Sequence, residues 1–191
     1  MADRWTELAT KLTARPRRPL SAGEATAAAV LVPLQIVGDG LHIVYTRRAQ
    51  AMPNHAGQVA FPGGVCDPAR DVDAAATALR EAYEEIGLAP SDVRLVGALD
   101  DIATVSSRFL ITPFVGVVPH PYTWVPSPRE VDTVFSVELA RLRAPDAERR
   151  ELWNFDGTPV PIDFFPIDGQ VIWGATHRIT RNLLEVLGEV G

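Results

Sequence analysis

Apolar runs separated by turn-forming residues divide the chain into many short strands and a few helices. Residues 25–37 form a nearly continuous apolar run, which predicts a buried strand. The pair Asp39-Gly40 predicts a hairpin, and the strand that follows it ends at Arg48. At 72–87 the apolar positions recur at helical spacing, and a Pro-Gly-Gly turn at 62–64 precedes this segment. We therefore expect a long central helix that ends at Gly87 as its C-cap.

The remaining segments predict mostly strands. Helical spacing at 3–13 indicates a short amphipathic helix, and residues 129–139 combine a strand with a helix that starts at Ser136. A strand that runs into an amphipathic helix ends the sequence. Further strands are expected at 58–61, at 93–99, at 109–118 with an interruption at Pro113, at 151–155 and at 160–167.

Strands dominate these predictions, so we expect an α+β fold in which a sheet core is covered by helices. The length of 191 residues fits one domain. We place this domain at 25–191, with residues 1–24 forming a helix and a linker packed on it. The arginine-rich residues 14–20 are expected to be a solvated linker. The residues Trp153, Phe155, Phe164 and Phe165 are expected to belong to the sheet core.

Three carboxylates share one face of the predicted central helix. At about 100° per residue, Glu81, Glu84 and Glu85 fall within an arc of roughly 100°. Like charges at this spacing destabilise an isolated helix, so a bound cation would explain them. Their oxygens suit Mg²⁺ or Mn²⁺, whereas the alternative is a solvated acidic face. Arg80 lies one turn before Glu84 and can hold its side chain. The opposite face is expected to pack inward through Ala75, Leu79, Ala82 and Ile86.

The segment from Arg80 to Leu88, REAYEEIGL, resembles the second half of the Nudix box, G-x5-E-x7-R-E-U-x-E-E-x-G-U, where U is aliphatic. The first half departs from this spacing, because Cys66 and Val72 stand at the positions of the first Gly and the Glu. In the family that Glu supports the geometry of the loop and the helix. The acids near this position, none of them in register, are Asp67, Asp71 and Asp73.

A second resemblance precedes the box and points to the coenzyme A pyrophosphatase branch of the Nudix family. That branch carries LLTxR(S/A)-x3-R-x3-G-x3-FPGG, and its C-terminal part often carries WGxT, which matches residues 173–176. Pro53 stands where the second Arg of the pattern is expected. The positions in register are Thr46, Arg48, Ala49, Gly57 and the run Phe61-Pro62-Gly63-Gly64.

The resemblance implies the Nudix α/β/α sandwich, with a mixed β-sheet between helices. It implies hydrolysis of the pyrophosphate bond of coenzyme A or acyl-CoA with Mg²⁺ or Mn²⁺, giving 3′,5′-ADP and (acyl-)4′-phosphopantetheine. Other nucleotide substrates stay open: ADP-ribose, NADH, a dinucleoside polyphosphate or a modified dNTP. A third alternative is a non-catalytic Nudix domain that binds a nucleotide or a protein.

The same resemblance implies roles for individual residues. Glu130 precedes a strand at a place where other family members supply a loop glutamate as base or extra ligand. The loop at 106–108 could close on substrate. The implied catalytic residues are Arg80, Glu81, Glu84, Glu85 and Glu130. The implied metal ligands are Glu81, Glu84, Glu85 and Gly64. The implied substrate-binding residues are Arg48, His55, Gly57, Phe61 and Gly63.

Composition limits the partners. The formal net charge of −6 argues against nucleic-acid binding and against docking on anionic membranes. Cys66 is the only cysteine, so no intramolecular disulfide can form, and we expect a reducing cytoplasm. The expected partner is a small nucleotide pyrophosphate. Because many members of the family are dimers, a homodimer is also considered.

Overall fold

The observed secondary structure follows the predicted order of elements. The computed structural model describes residues 2–21, 23–53, 55–104 and 108–188. In chain order the elements are α1 (Ala2–Ala14), β1 (Thr26–Val37), β2 (Gly40–Arg48), β3 (Val59–Ala60), β4 (Gly63–Val65), α2 (Ala74–Ile86), β5 (Arg94–Ala98), β6 (Ile102–Ala103), β7 (Phe109–Val117), β8 (Val131–Glu138), α3 (Leu139–Leu142), β9 (Arg149–Phe155), β10 (Thr158–Ile167), β11 (Gln170–Trp173) and α4 (Gly174–Leu187).

A mixed sheet with the strand order β3-β2-β1-β7-β5 lies between layers of helices. β4 also pairs with β1, β6 with β7 and β8 with β2. β1 and β7 are parallel, whereas β2 is antiparallel to β1 and β5 is antiparallel to β7. Side chains alternate along β1, so that Ala29 and Leu31 pack with α2, whereas Val32 and Leu34 pack with α1 and α4. The expected α+β sandwich is confirmed.

A second sheet, with the order β11-β10-β9, extends the α4 side of the molecule. Phe165 and Phe164 are buried, as expected. Trp153 is only partly buried and packs at a tilted angle against Phe164, with ring centroids 5.4 Å apart. Phe155 is 42% exposed, so its expected place in the core is wrong. It lies at the end of the hairpin between β9 and β10, opposite Thr158.

The segment after α1 is largely exposed, as expected for residues 14–20, but Arg15 and Arg17 anchor it to the main sheet. Arg15 donates to a carboxylate oxygen of Asp100 (Nη1···Oδ1, 2.7 Å). Arg17 pairs with Asp101 and donates to the carbonyl oxygen of Leu99 (2.9 Å). The arginines of the N-terminal arm (residues 15–20) pair with the aspartates of the β5–β6 loop because these two segments pack together. The boundary at residue 24 stays a prediction.

Two further local predictions are wrong. β7 runs unbroken through Pro113, whose carbonyl oxygen accepts the N–H of Leu99 (2.9 Å). A backbone N–H at position 113 would face the carbonyl oxygen of Leu99. Proline is tolerated here because this oxygen accepts a hydrogen bond from Arg17 instead. β8 continues past Ser136, and α3 starts at Leu139.

Two expectations concern the loop at 106–108 and the helices. Ser106 and Ser107, in the loop considered for closure on substrate, lie outside the described residues, and Arg108 has a positive φ of 51°. Within the described ranges, the helices are too short or too polar to cross a lipid bilayer.

Candidate active site

The helix α2 is held at both ends. Asp73 caps its N-terminus by accepting the backbone N–H of Ala76 (2.8 Å). Gly87 ends it with a φ of 69°, which confirms the expected C-cap. The proline-rich loop at 119–128 covers this end, because its backbone N–H groups donate to the carbonyl oxygens of Glu85 and Ile86. The C-terminal half of α2 is therefore fixed in place.

Gly63 and Gly64 lie at the bottom of the site and are extended, not in the predicted turn. They form β4 and pair with Val30 and Ala29 of β1. A Cβ atom on Gly63 would lie 2.3 Å from the carbonyl oxygen of Ala29, and one on Gly64 would lie 2.5 Å from Cδ of Glu81. Only glycine allows the backbone of β4 to approach both the neighbouring strand and the Glu81 carboxylate.

The three helix carboxylates differ in burial. Glu84 is the most exposed, Glu81 is half-buried, and Glu85 is only 7% exposed. The predicted division of α2 into two faces is thus wrong for Glu85, which belongs to the buried face with Ala82 and Ile86. Glu85 still reaches the Gly segment, because the N–H of Gly63 donates to it (N···Oε2, 3.2 Å).

Glu85 has a strongly perturbed acidity. Burial raises the pKa of its carboxyl group to about 8, against the effects of the Gly63 N–H and of the charge on Arg48, which lower it. The carboxylates of Glu81 and Glu130 raise the pKa further. These influences place Arg48 and Glu130, which lie far from α2 in the sequence, in the electrostatic environment of Glu85.

Arg80 is the centre of an ion-pair network on α2. Its guanidinium donates to both oxygens of Asp71 (Nε···Oδ1, 2.8 Å; Nη2···Oδ2, 3.0 Å). It also donates from Nη1 to Glu81 (2.7 Å) and Glu84 (3.0 Å). The predicted pairing with Glu84 is present, and this network orients both carboxylates. Arg70 additionally pairs with Glu84 (Nη2···Oε1, 2.5 Å).

Asp71, one residue before the register position of the box Glu, is the aspartate that pairs with Arg80. Val72, at the register position, is 94% exposed. The Asp71 side chain is buried and accepts the hydroxyl of Thr77 (2.8 Å) as well as Arg80. The guanidinium beside it holds the pKa of Asp71 well below its usual range. The sequence does not determine which of the three nearby aspartates replaces the box Glu, because the length of the loop decides which one reaches Arg80.

The residues from the upstream motif lie in different surroundings. Arg48 has a buried Nε atom without a hydrogen-bond partner among the described residues. Phe61 is buried and stacks on Tyr45, with ring centroids 4.9 Å apart, so its ring packs in the core. His55 is exposed and bonds to Gln58 (Nδ1···Oε1, 2.9 Å). Gly57, with a φ of 69°, closes the loop against Gln50.

The donor atoms suit a divalent cation. Glu81, Glu84 and Glu85 offer carboxylate oxygens within two turns of one helix. A Cβ atom on Gly64 would lie 2.5 Å from Cδ of Glu81, so the backbone of Gly64 lies close to this carboxylate. In the described part of the chain, no three acidic, His or Cys side chains already converge as a ligand cage. Arg80 pairs with one oxygen each of Glu81 and Glu84. The residues fit a hard cation that takes its place beside these oxygens.

A mixed sheet between helices, with a glycine strand facing a carboxylate helix, is the arrangement of the Nudix hydrolases. The NUDIX domain family matches residues 25–155, which is more than half of the chain. The chain belongs to the Nudix hydrolase family and is a Nudix pyrophosphohydrolase. Enzymes of this family generally use divalent metal ions.

Individual relatives agree with this family. The chain is 35% identical over 158 residues to the uncharacterized Nudix hydrolase NudL of Photorhabdus laumondii, covering 83% of each chain. It is 35% identical over 167 residues to NudL of Salmonella paratyphi B, covering 84% of this chain and 82% of the relative. The solved Nudix hydrolase RenU of M. smegmatis shares the fold, with 20% identity, a TM-score of 0.52, and coverage of 62% of this chain and 73% of that chain.

Proposed function

We propose that this pyrophosphohydrolase acts on coenzyme A or acyl-CoA, with Mg²⁺ or Mn²⁺, in the cytoplasm. One observation carries the proposal: residues of the upstream motif act directly on the box carboxylates. The N–H of Gly63 donates to Glu85, and the charge of Arg48 acts on the same group. The motif that resembles the coenzyme A branch and the Nudix box thus contribute to one site.

The residues of the chain divide the work of pyrophosphate hydrolysis. The guanidinium of Arg48, with its unpaired buried Nε, is suited to a phosphate oxygen of the substrate. Arg80 and Asp71 keep the Glu81 and Glu84 side chains in place. One glutamate, either a helix glutamate (Glu81, Glu84 or Glu85) or the loop residue Glu130, accepts the proton of the attacking water.

When bound by Glu81, Glu84, Glu85 and the backbone of Gly64, the divalent cation would neutralise phosphate charge and stabilise the leaving group. Water adds to one phosphorus and the P–O bond of the bridging oxygen breaks. The products for coenzyme A are 3′,5′-ADP and 4′-phosphopantetheine. The negative net charge of the chain makes local cations, such as Arg48, necessary for an anionic substrate.

A substrate panel with product identification tests the proposal. The purified protein is incubated with coenzyme A, acetyl-CoA, ADP-ribose, NADH, a dinucleoside tetraphosphate and a modified dNTP, each with Mg²⁺ or Mn²⁺. Formation of 3′,5′-ADP at the highest kcat/KM supports the proposal. Turnover of another pyrophosphate without 3′,5′-ADP formation would reject the substrate. Glu84→Gln serves as the control for contaminating activity.

Pro53 favours a second candidate, a Nudix pyrophosphohydrolase for another nucleotide. It is exposed in the loop between β2 and β3, where the coenzyme A pattern has a cation. Pro53→Arg separates the two candidates. If the arginine raises kcat/KM for coenzyme A about tenfold or more, the natural chain is not adapted to coenzyme A, and the second candidate gains support.

A further inference from the structure

The strand β9 (Arg149–Phe155) is an uncovered edge of the second sheet. The sheet order is β11-β10-β9, so β9 has one partner strand, β10, among the described residues. All of its residues except Trp153 are exposed, and Leu152 at its centre is 72% exposed. Such an edge presents unpaired backbone N–H and C=O groups that can pair with another strand.

The turn at the end of β9 defines which groups point outward. Asp156 and Gly157 have φ values of 48° and 84° and form a two-residue hairpin loop closed by Phe155 and Thr158. The closing pair of such a hairpin is hydrogen-bonded, and the direction of the backbone groups alternates along the strand. The backbone N–H and C=O groups that point away from β10 are therefore those of Arg150, Leu152 and Asn154.

We propose that the occupant of this edge is the β9 strand of a second copy of the chain. Two copies paired antiparallel about a two-fold axis perpendicular to the sheet keep equivalent faces on the same side. Residues whose backbone groups point outward then lie opposite residues of the same kind, so that the two strands can form backbone hydrogen bonds. When the axis passes Leu152, the whole strand overlaps with its copy, and two three-stranded sheets become one continuous sheet.

The charge pattern of β9 avoids like-charge contacts between directly opposed residues in this register. The first half carries Arg149, Arg150 and Glu151, and the second half is free of charge. Antiparallel pairing sets the charged half of one copy against the uncharged half of the other. The opposed pairs are Arg149 with Phe155, Arg150 with Asn154, and Glu151 with Trp153.

Neighbouring registers are less favourable. A shift by one pair in one direction opposes Glu151 to its own copy, which is a like-charge contact. A shift by one pair in either direction also shortens the overlap by two residues. The Leu152 register also lets each arginine at 149 approach an aromatic ring, a favourable cation–π arrangement. Trp153 already donates from Nε1 to Glu151 within one chain (3.2 Å), so the same atoms can exchange partners across the axis.

Light scattering and cross-linking test this interface on the full chain. The first measurement is the molar mass by size-exclusion chromatography with light scattering over a wide concentration range, where a dimer is expected. Leu152→Lys places two like charges at the axis and is expected to weaken the dimer at least about tenfold. Val171→Lys is the control, because Val171 is 37% exposed on β11 at the other edge of the sheet.

Cysteine cross-linking tests the register in a Cys66→Ala background. Leu152→Cys puts two thiols on opposed residues with Cα atoms about 5.5 Å apart, within disulfide range, so oxidation is expected to give a covalent dimer. Arg150→Cys is the matched control, because its own copy lies four positions away along the strand, about 13 Å distant. A mixture of Arg150→Cys and Asn154→Cys chains is expected to cross-link.

Three results would overturn the proposal. The first is a monomer at every concentration together with no cross-link at Leu152. The second is a dimer that Leu152→Lys leaves intact, and the third is efficient self-linking of Arg150→Cys. Circular dichroism shows whether Leu152→Lys has folded, and the cysteine variants provide the answer if it has not.

Discussion

The substitution Glu85→Gln is expected to stabilise the metal-free protein. The Glu85 side chain is buried, and burial raises its pKa to about 8 from an ordinary value of 4.5. Because the pKa is higher in the folded state, the folded protein retains a proton that the unfolded chain releases. The contribution of protonated Glu85 to the free energy of unfolding is therefore fully present below about pH 4.5 and is lost as the pH rises through about 8.

The size of this effect follows from the pKa difference. At about 1.36 kcal/mol per pKa unit, the buried carboxyl group costs about 3 kcal/mol at pH 7 and about 4 kcal/mol at pH 8. At pH 4.5 the cost is below about 0.5 kcal/mol. Glutamine has the same shape, carries no charge and can still accept the N–H of Gly63. The variant should gain most of this free energy of unfolding.

Urea unfolding in the presence of a chelator measures the difference from about pH 5 to about pH 8. Glu84→Gln is the matched control, since the exposed Glu84 pairs with two arginines and gains nothing from losing its charge. Saturating Mg²⁺ should reverse the order, because it binds the folded wild-type chain more tightly than the variant. Parallel stability curves for wild type and Glu85→Gln in chelator would refute the reasoning.

Two further substitutions test the ion-pair network and the helix carboxylates. Asp71→Asn leaves Arg80 to bond only Glu81 and Glu84, so the Mg²⁺ concentration for half-maximal activity should rise about tenfold. Adding Val72→Glu should not restore it, because that side chain points into solvent; restoration in a metal titration would contradict the role of Asp71. Glu84→Gln should lower kcat by at least about two orders of magnitude in steady-state assays, and undiminished turnover would contradict the proposed site.

The helix α2 could be predicted from the sequence because its signals are local. Helical spacing and the C-cap at Gly87 lie within one segment, and the observed helix ends where expected. The strands were predicted for the same reason, as apolar runs bounded by turn residues. The interruption at Pro113 was wrong because a proline in a strand depends on what its neighbour strand offers.

The properties of single carboxylates depended on the tertiary structure. Helical periodicity placed Glu81, Glu84 and Glu85 on one face, but the sheet and the loop at 119–128 decided that Glu85 is buried and Glu84 exposed. Burial removes water from one carboxyl group and raises its pKa, although the three side chains are chemically identical. No spacing rule contains that information.

The sequence by itself determined the family, the central helix and the residue types at the site, because these are carried by contiguous motifs. Only the tertiary structure decided which aspartate supports Arg80 and that the arginines of the N-terminal arm bind Asp100 and Asp101. It also decided that β9 is an open edge. These outcomes depend on side chains and strands that are distant in the chain, and their meeting depends on loop lengths and packing.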